Sequence, residues 1–561
     1  MSIKKPSVPV AIASGLAVAA VAAFCIFSKM YRSYVLNFAH TTAGVLVPIL
    51  ALVALVVAAF FVYEKGWESN TGDYGRRYNN GSPTRHSYRT DAEYAKANTA
   101  YEVAQAVKAK AARKAKLVFG ALVAVIVASL GLTVTYWVMS SYNIDRQYVT
   151  AVKVVNAPAP TFAQRAAYPV AVASAKTNMG AVTGDLDGVK FVATSTTDSW
   201  NALVERRATF GGYAAVQEQH IGLTGVSADP TICTFDAANA DRKLGGWFNK
   251  SLDRAIYKVK SGVKISGEDA YGTCLNGHAT VIVPLTKIVG WVFPHEVPAG
   301  VAVYDGQTGK VSVLDTVKAG QLPGPVYPIS LATKTREAAA ALGSFPDYWN
   351  NRVGYEDTDS DAGDPNGENR AEFSMRGVSG GSSYVTPLTP RGNSVSIIAE
   401  GTVASGSVTA GTLNDFVVHK LAKTRVANGA AAQRIRGDYG DLPEWAAKMA
   451  VYEVTPASQD EWVASLGQNQ DIAYRVRLAA DGSSCLERAD GTKLRCGKVT
   501  GTGGFGPGVA LAQGGQAPTS SPAPVASTDA QLQGLTDAQI VALQERVTRE
   551  VAARLAKAAG K

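Results

Sequence analysis

The densest run of potential cation-binding chemistry is acidic: Asp357-Thr-Asp359-Ser-Asp361-Ala-Gly-Asp-Pro-Asn-Gly-Glu368. Counting Asp357 as position 1 places Asp359, Asp361 and Glu368 at positions 3, 5 and 12. Those are side-chain ligand positions of a calcium-binding loop, where hard carboxylate oxygens suit a hard cation. Position 6 is Ala362, where such loops carry a glycine for their sharp turn, and no clear helix pair flanks the run. The residues therefore support two readings, a calcium loop and a solvated acidic turn.

A second constellation could do nucleophilic chemistry. Gly377-Val-Ser379-Gly-Gly381 matches the G-x-S-x-G nucleophile elbow, and Asp415 and His419 follow in the order of a hydrolase triad. An elbow needs a strand before it and a helix after it, yet the stretch that follows, SYVTPLTP, reads as a strand with prolines. The chain contains no P-loop, dinucleotide fingerprint or HExxH. The leading reading is thus non-enzymatic, with a membrane-tethered hydrolase acting through Ser379 as the alternative and a calcium-responsive adhesion or sensor module as a third.

The five cysteines bear on compartment. Cys25 lies in an apolar segment, and Cys233, Cys274, Cys485 and Cys496 all follow residue 140. Four in one region suit an oxidising compartment. Asp490-Gly491 is a strong two-residue hairpin turn. Pairing outward from it sets Ala489 opposite Thr492 and Cys485 opposite Cys496, within reach of a disulfide. Cys233–Cys274 follows by elimination. No Cys-x-x-Cys is present, and Cys274-Leu-Asn-Gly-His278 is an isolated match, so a zinc site is disfavoured.

These groups need something to position them, and the first such elements are apolar. Segments 8–28, 43–63 and 117–139 lack charged residues. Each is long enough to cross a ~30 Å hydrocarbon core at ~1.5 Å per residue. Tyr63, Trp67, Tyr136 and Trp137 flank the second and third segments as interface aromatics would. The loop 65–116 carries eleven Lys/Arg and the connection 29–42 only two, which places 65–116 in the cytoplasm. The N-terminus with Lys4 and Lys5 is then inside, and residues 140–561 are extracytoplasmic. Lys4 and Lys5 could also head a signal peptide, although Phe24 before Cys25 does not suit a lipoprotein cleavage site.

The same residues explain the net charge of +9. Residues 1–139 hold fifteen Lys/Arg against six Asp/Glu, and the remainder is balanced. The outer region therefore lacks the net basic footprint of a nucleic-acid binder. The bilayer is the expected partner of the basic end.

The outer region reads as α+β and β-rich. One module is expected over 140–345 and a second over 346–500. Gly300–Asp315 alternates Val301, Val303, Val311 and Val313 across a glycine-rich turn, which predicts a β-hairpin. A helix is predicted over 331–342 with Ser330 as its N-cap, then strands over 370–426 and a shorter α/β piece over 440–500. Asp91–Lys116 predicts a helix running on into the third apolar segment. Residues 501–534 are a low-complexity linker expected to be disordered. They lead to an amphipathic helix over 535–558. Its start carries a Thr536/Gln539 capping box and a Leu535/Ile540 staple, and its apolar face is Ile540, Leu543, Val547, Val551 and Leu555. That face would dock on an envelope protein or self-associate.

VYDGQTGKV at 303–311, within the hairpin 301–313, resembles the hairpin of PepSY-type domains. The resemblance implies a small extracytoplasmic α/β module tied to inhibition or regulation at the cell envelope. The Ala/Val/Gly-rich style, with PGPVYPISLATKTREA (323–338) and YVTPLTP (384–390), is similar to uncharacterised multi-pass membrane proteins of actinobacterial phages. No activity comes with that likeness. The expectation is a membrane-anchored protein whose outer modules bind or scaffold a protein or cell-wall partner.

Overall fold

The computed structural model describes residues 83–497, except 195–196, 208–210, 224, 226–228, 358–371, 393–395 and 459, together with helical positions 53, 54 and 57. The apolar segment 8–28, the rest of segment 43–63, linker 501–534 and helix 535–558 lie outside the described residues. Residues 83–497 belong to one compact unit, Met1–Gly504.

A single helix runs unbroken from Asp91 to Val149, 59 residues, about 88 Å at 1.5 Å per residue. Thr90 caps it by accepting from the Glu93 N–H. Its Ala/Lys-rich first half and apolar second half contain no proline, so nothing stops the hydrogen-bond ladder between them. The rod expected from Asp91 into the third segment is therefore one element. Its Phe119–Val149 part is, among the described residues, the one helix long and apolar enough to cross a membrane.

The end of this helix enters the β-rich body. Tyr142 donates to the Gly343 carbonyl at 3.0 Å and meets Phe345 and Tyr348 edge-on. Tyr148 is buried, and its hydroxyl accepts from the Glu296 N–H at 2.7 Å. Ile144 and Tyr148 join a core with Ile282, Val301, Leu331, Leu388 and Phe416. The connection between helix and body is thus packed side chain rather than flexible chain.

The described residues of the body form four main sheets and a two-stranded one. Strands Asp185–Ala193, Asp198–Glu205, Tyr213–Gln219 and Thr231–Thr234 form an antiparallel meander. A second sheet centres on the long hairpin His278–Val289/His295–Asp305, with Val311–Leu314 on one side and Lys264–Ile265 and Tyr271–Leu275 on the other. The run ATVIVPL within His278–Val289 is buried on both faces, and the ladder shifts register after Pro284, which cannot donate to it. The third sheet orders Val152–Val155, Phe416–Val426, Ser396–Ala404, Ser382–Pro390 and Tyr355–Asp357, with Phe373–Arg376 also on Ser382–Pro390. Its first pair is parallel. The fourth is a five-stranded meander over Ala450–Gly497, packed on the helix Asn428–Asp438. Pairings 152–155 with 416–419 and 316–317 with 408–409 cross the 345/346 position.

The predicted hairpin is present, with Val311 opposite Tyr304 and Leu314 opposite Val301. Asp305 closes its turn by accepting from the Gln307 and Thr308 N–H groups. The described part of 440–500, which ends at residue 497, corrects the expectation: its strands follow a short 3-10 turn at Pro443–Trp445, and its helix, Asn428–Asp438, lies before it. The helix Tyr168–Thr177 was not foreseen. Its Pro169 in the first turn is its sequence signal.

Ser330 also corrects the expectation. The helix is Ile329–Glu337 with Pro328 at the N-cap, and Ser330 lies inside it. Asp269 supplies the cap from the 3-10 turn Gly267–Asp269 between two strands of the second sheet, accepting from the Ser330 N–H at 3.0 Å and hydroxyl at 2.6 Å. A local cap was expected because Ser330 precedes the apolar run; a buried carboxylate took the role. Asp269→Ala should cost about 1–2 kcal/mol, the range for losing a cap. Urea denaturation of the full chain checks this, and an unchanged midpoint would show that the cap contributes nothing.

Candidate functional site

The four sheets converge on a charged interior. Arg165 follows the coil after Val152–Val155, and one of its terminal nitrogens lies 3.0 Å from each oxygen of Glu453, on the last meander. The two side chains are 4% and 2% exposed. The guanidinium stacks 4.8 Å from the Trp200 ring and 5.1 Å from Phe191, with Phe373 at 5.9 Å. A cation this far from water needs its carboxylate and ring faces together. Around the pair lies a cavity of about 70 Å³, lined also by Asp269, Tyr271, Glu372, Ser374 and Tyr384.

Its acids are held apart by separate partners. Glu372 accepts from Thr333 at 3.0 Å and pairs with Arg336 at 3.3 Å. Burial pushes its carboxyl above the usual carboxylate range, against the pull of Arg336. Burial likewise raises Asp269, against its two bonds from Ser330.

This interior opens onto a groove of about 850 Å³ between the first and second sheets. Tyr168, Val189, Lys190, Glu268 and Tyr271 line both spaces. Asp187, Asn201, Asp253 and Ser266 complete the polar wall, and Gly188, Gly245, Gly267 and Gly272 bring backbone close. Burial, then the neighbouring Glu205, raises Asp187. The groove lining gathers three carboxylates, Asp187, Asp253 and Glu268, with Lys190, Asn201 and Ser266, a set suited to hydrogen-bonding a polar ligand.

A second buried pair, Arg425–Glu400, links two strands of the third sheet, and Arg425 also donates to the Ser458 carbonyl of the last meander at 3.1 Å. The two are 3.0 Å apart and 2% and 1% exposed, and the guanidinium lies 5.1 Å from the Trp462 ring. Burial pushes Glu400 up to about 7, with Arg425 opposing. A carboxyl whose folded value exceeds its unfolded value stabilises fully below the unfolded value and loses that contribution as pH rises through the folded one. The denaturation midpoint should therefore fall between about pH 4.5 and 7 in the wild type. Glu400→Gln should flatten that slope. An unaltered slope in the variant would remove Glu400 as its source.

The expected sites are dispersed. Asp357 closes the Tyr355–Asp357 strand and pairs with Arg336 at 2.9 Å; Asp359, Asp361 and Glu368 lie outside the described residues. Among the described residues, no three His, Cys, Asp or Glu side chains group as a metal site. Ser379 sits in the turn between Phe373–Arg376 and Ser382–Pro390. Asp415 pairs with Lys153 at 2.5 Å. His419 faces Thr402 at 3.3 Å and the Ala157 carbonyl at 3.3 Å, and burial lowers its basicity. None of these contacts joins two of the three triad candidates.

Both disulfides are formed, Cys233–Cys274 and Cys485–Cys496, with Cα atoms 5.8 and 4.0 Å apart. The second hairpin differs from the expected turn. The Arg488 N–H donates to the Thr492 carbonyl around a three-residue loop. A bulge between Leu486 and Glu487 restores Cys485 opposite Cys496.

The acids and arginines of the interior were missed individually. Their one sequence signal was a lone charge inside an apolar strand, as in AVYEVTPA around Glu453 and SIIAEGTVA around Glu400. No family model, no curated protein and no solved structure matches the chain.

Proposed function

We propose that this chain is a multi-pass membrane protein whose outer body binds or scaffolds a protein or cell-wall partner. Segments 8–28, 43–63 and 117–139 cross the bilayer, the basic loop 65–116 is cytoplasmic, and residues 140–561 lie outside. The bound helix, the oxidised cysteines and the balanced charge of the outer region support that arrangement.

The observation that carries the binding reading is an aromatic pair beside the groove. Trp247 and Phe248 are 62% and 68% exposed, with ring centroids 6.1 Å apart. They follow Leu244 and Gly245, which line the groove. Their loop is tied by Lys243 N–H to the Lys250 carbonyl, Leu252 N–H to the Lys243 carbonyl and Lys250 N–H to the Trp247 carbonyl. Phe248 has φ 49°, a left-handed backbone that costs energy in a residue other than glycine. At Gly246 an added Cβ would lie 2.3 Å from the Lys250 carbonyl oxygen, so no side chain fits there. A rigid loop that holds two large aromatics in water has the composition of a binding hot spot.

Photo-crosslinking tests this reading. A benzophenone side chain at position 248 of the full chain, expressed in its host membrane, should give one discrete adduct. Trp247→Ala should reduce its yield by about tenfold or more, the cost of a hot-spot truncation. A yield no higher than that from the exposed turn residue Asn276 would sink the reading.

A further inference from the structure

We infer that the tip of the long hairpin, residues 290–294, is a second membrane contact, with Trp291 and Val292 seated in the outer-leaflet interface beside the helix. The inference rests on the proposal that 117–139 spans the bilayer. Strands His278–Val289 and His295–Asp305 form the longest hairpin of the second sheet, closing on Val289 opposite His295. The intervening sequence is Gly-Trp-Val-Phe-Pro, with no charged side chain and one indole N–H as its side-chain polar group. Trp291 and Val292 are each 59% exposed.

The tip is fixed against the helix at one place. The Tyr136 hydroxyl donates to the Val292 carbonyl at 2.6 Å, and its ring stacks on Phe293 at 6.1 Å and 13°. Tyr136 is where the charge-free segment reaches the far side of a bilayer. Lys116 is the last charge before it, and the twenty residues 117–136 measure about 30 Å, the thickness of the hydrocarbon core. The adjacent Trp137 is 69% exposed. The tip therefore meets the helix at the depth where tryptophan and tyrosine concentrate.

Water is a poor occupant for this surface, because the Trp-Val-Phe side chains offer it a single indole N–H against a large apolar area. A protein partner would have to fit between body and bilayer, where Tyr136 already draws the tip against the span. The outer leaflet is continuous with the surface the helix itself contacts. The spanning helix and the interfacial tip together hold the body at one height and tilt above the bilayer.

Site-directed fluorescence tests it on the full chain with Cys25→Ser, reconstituted in phosphatidylcholine/phosphatidylglycerol vesicles. An environment-sensitive dye is attached at Val292→Cys, at Leu130→Cys within the span, or at Asn276→Cys. Asn276 lies in the turn at the other end of strand His278–Val289, about 40 Å along the strand. The expected result is blue-shifted emission at position 292 with loss of intensity to headgroup-level nitroxide lipid. Position 130 should lose intensity to acyl-chain nitroxide, and position 276 to neither. Water-like emission at 292 with quenching at 130 overturns the tip contact and leaves the anchor standing. No quenching at 130 overturns both.

Discussion

Glu453→Ala should lower the stability of the folded chain by about 3–5 kcal/mol, the range for stranding one member of a buried ion pair. The alanine leaves Arg165 4% exposed with its carboxylate partner removed. The rings of Trp200, Phe191 and Phe373 remain, but cation–π contacts offset only about 0.5–2 kcal/mol. Arg165→Ala should cost a similar amount by exposing the opposite charge, with additional loss where the guanidinium filled the space between rings. Arg165→Met with Glu453→Leu should cost less than either single change, since neither leaves a buried charge. An exposed comparison sets the scale. Lys153–Asp415, at 56% and 49% exposure, should be worth less than about 1 kcal/mol on removal of Asp415. Urea denaturation of the full chain in detergent measures all four, and a Glu453→Ala loss no larger than the Asp415→Ala loss would show the pair to be solvated.

Much of the fold was legible where its determinants are local. Asp91–Val149 could be read as one rod because composition changes without a proline or glycine pair to break it. The 300–315 hairpin could be read because alternation and turn glycines fall within sixteen residues. Cys485 could be matched with Cys496 because a hairpin converts sequence offset into distance, and the match survived a different turn because a bulge compensated for it. The interior could not be read in this way. Arg165, Trp200, Asp269, Glu372 and Glu453 come from four sheets and their connections, and only strand order brings them together. The parallel pairing of Val152–Val155 with Phe416–Val426 has no local signal at all. Ser330 shows the same limit at one residue: a serine before an apolar run predicts its own cap, whereas tertiary packing delivered Asp269. Lone charges in apolar strands reveal that a partner must exist, without saying which.

The two disulfides should differ in value, and the difference follows from what each one joins. Cys233 lies on Thr231–Thr234 and Cys274 on Tyr271–Leu275, so this bond staples an edge of the first sheet to the second. It closes a sequence separation of 41 residues, worth about 4 kcal/mol in the chain-entropy account. Cys485–Cys496 closes a separation of 11 within strands that already pair, worth about 3 kcal/mol. Folded-state packing should widen that gap. The hairpin keeps its ladder when its bond is lost. The first pair lies where the two sheets meet by side-chain contact, with Cys233 6% exposed and Gly272 too close to Leu203 and Val216 to carry a side chain. Cys233→Ala/Cys274→Ala should therefore lower the urea midpoint more than Cys485→Ala/Cys496→Ala. The first variant should also loosen the groove between those sheets, read as faster amide exchange at Asn201 and Gly272, whose side-chain amide and carbonyl bond each other at 3.0 Å. Equal midpoints for the two variants, with exchange unchanged, would assign the sheet junction's stability to packing alone.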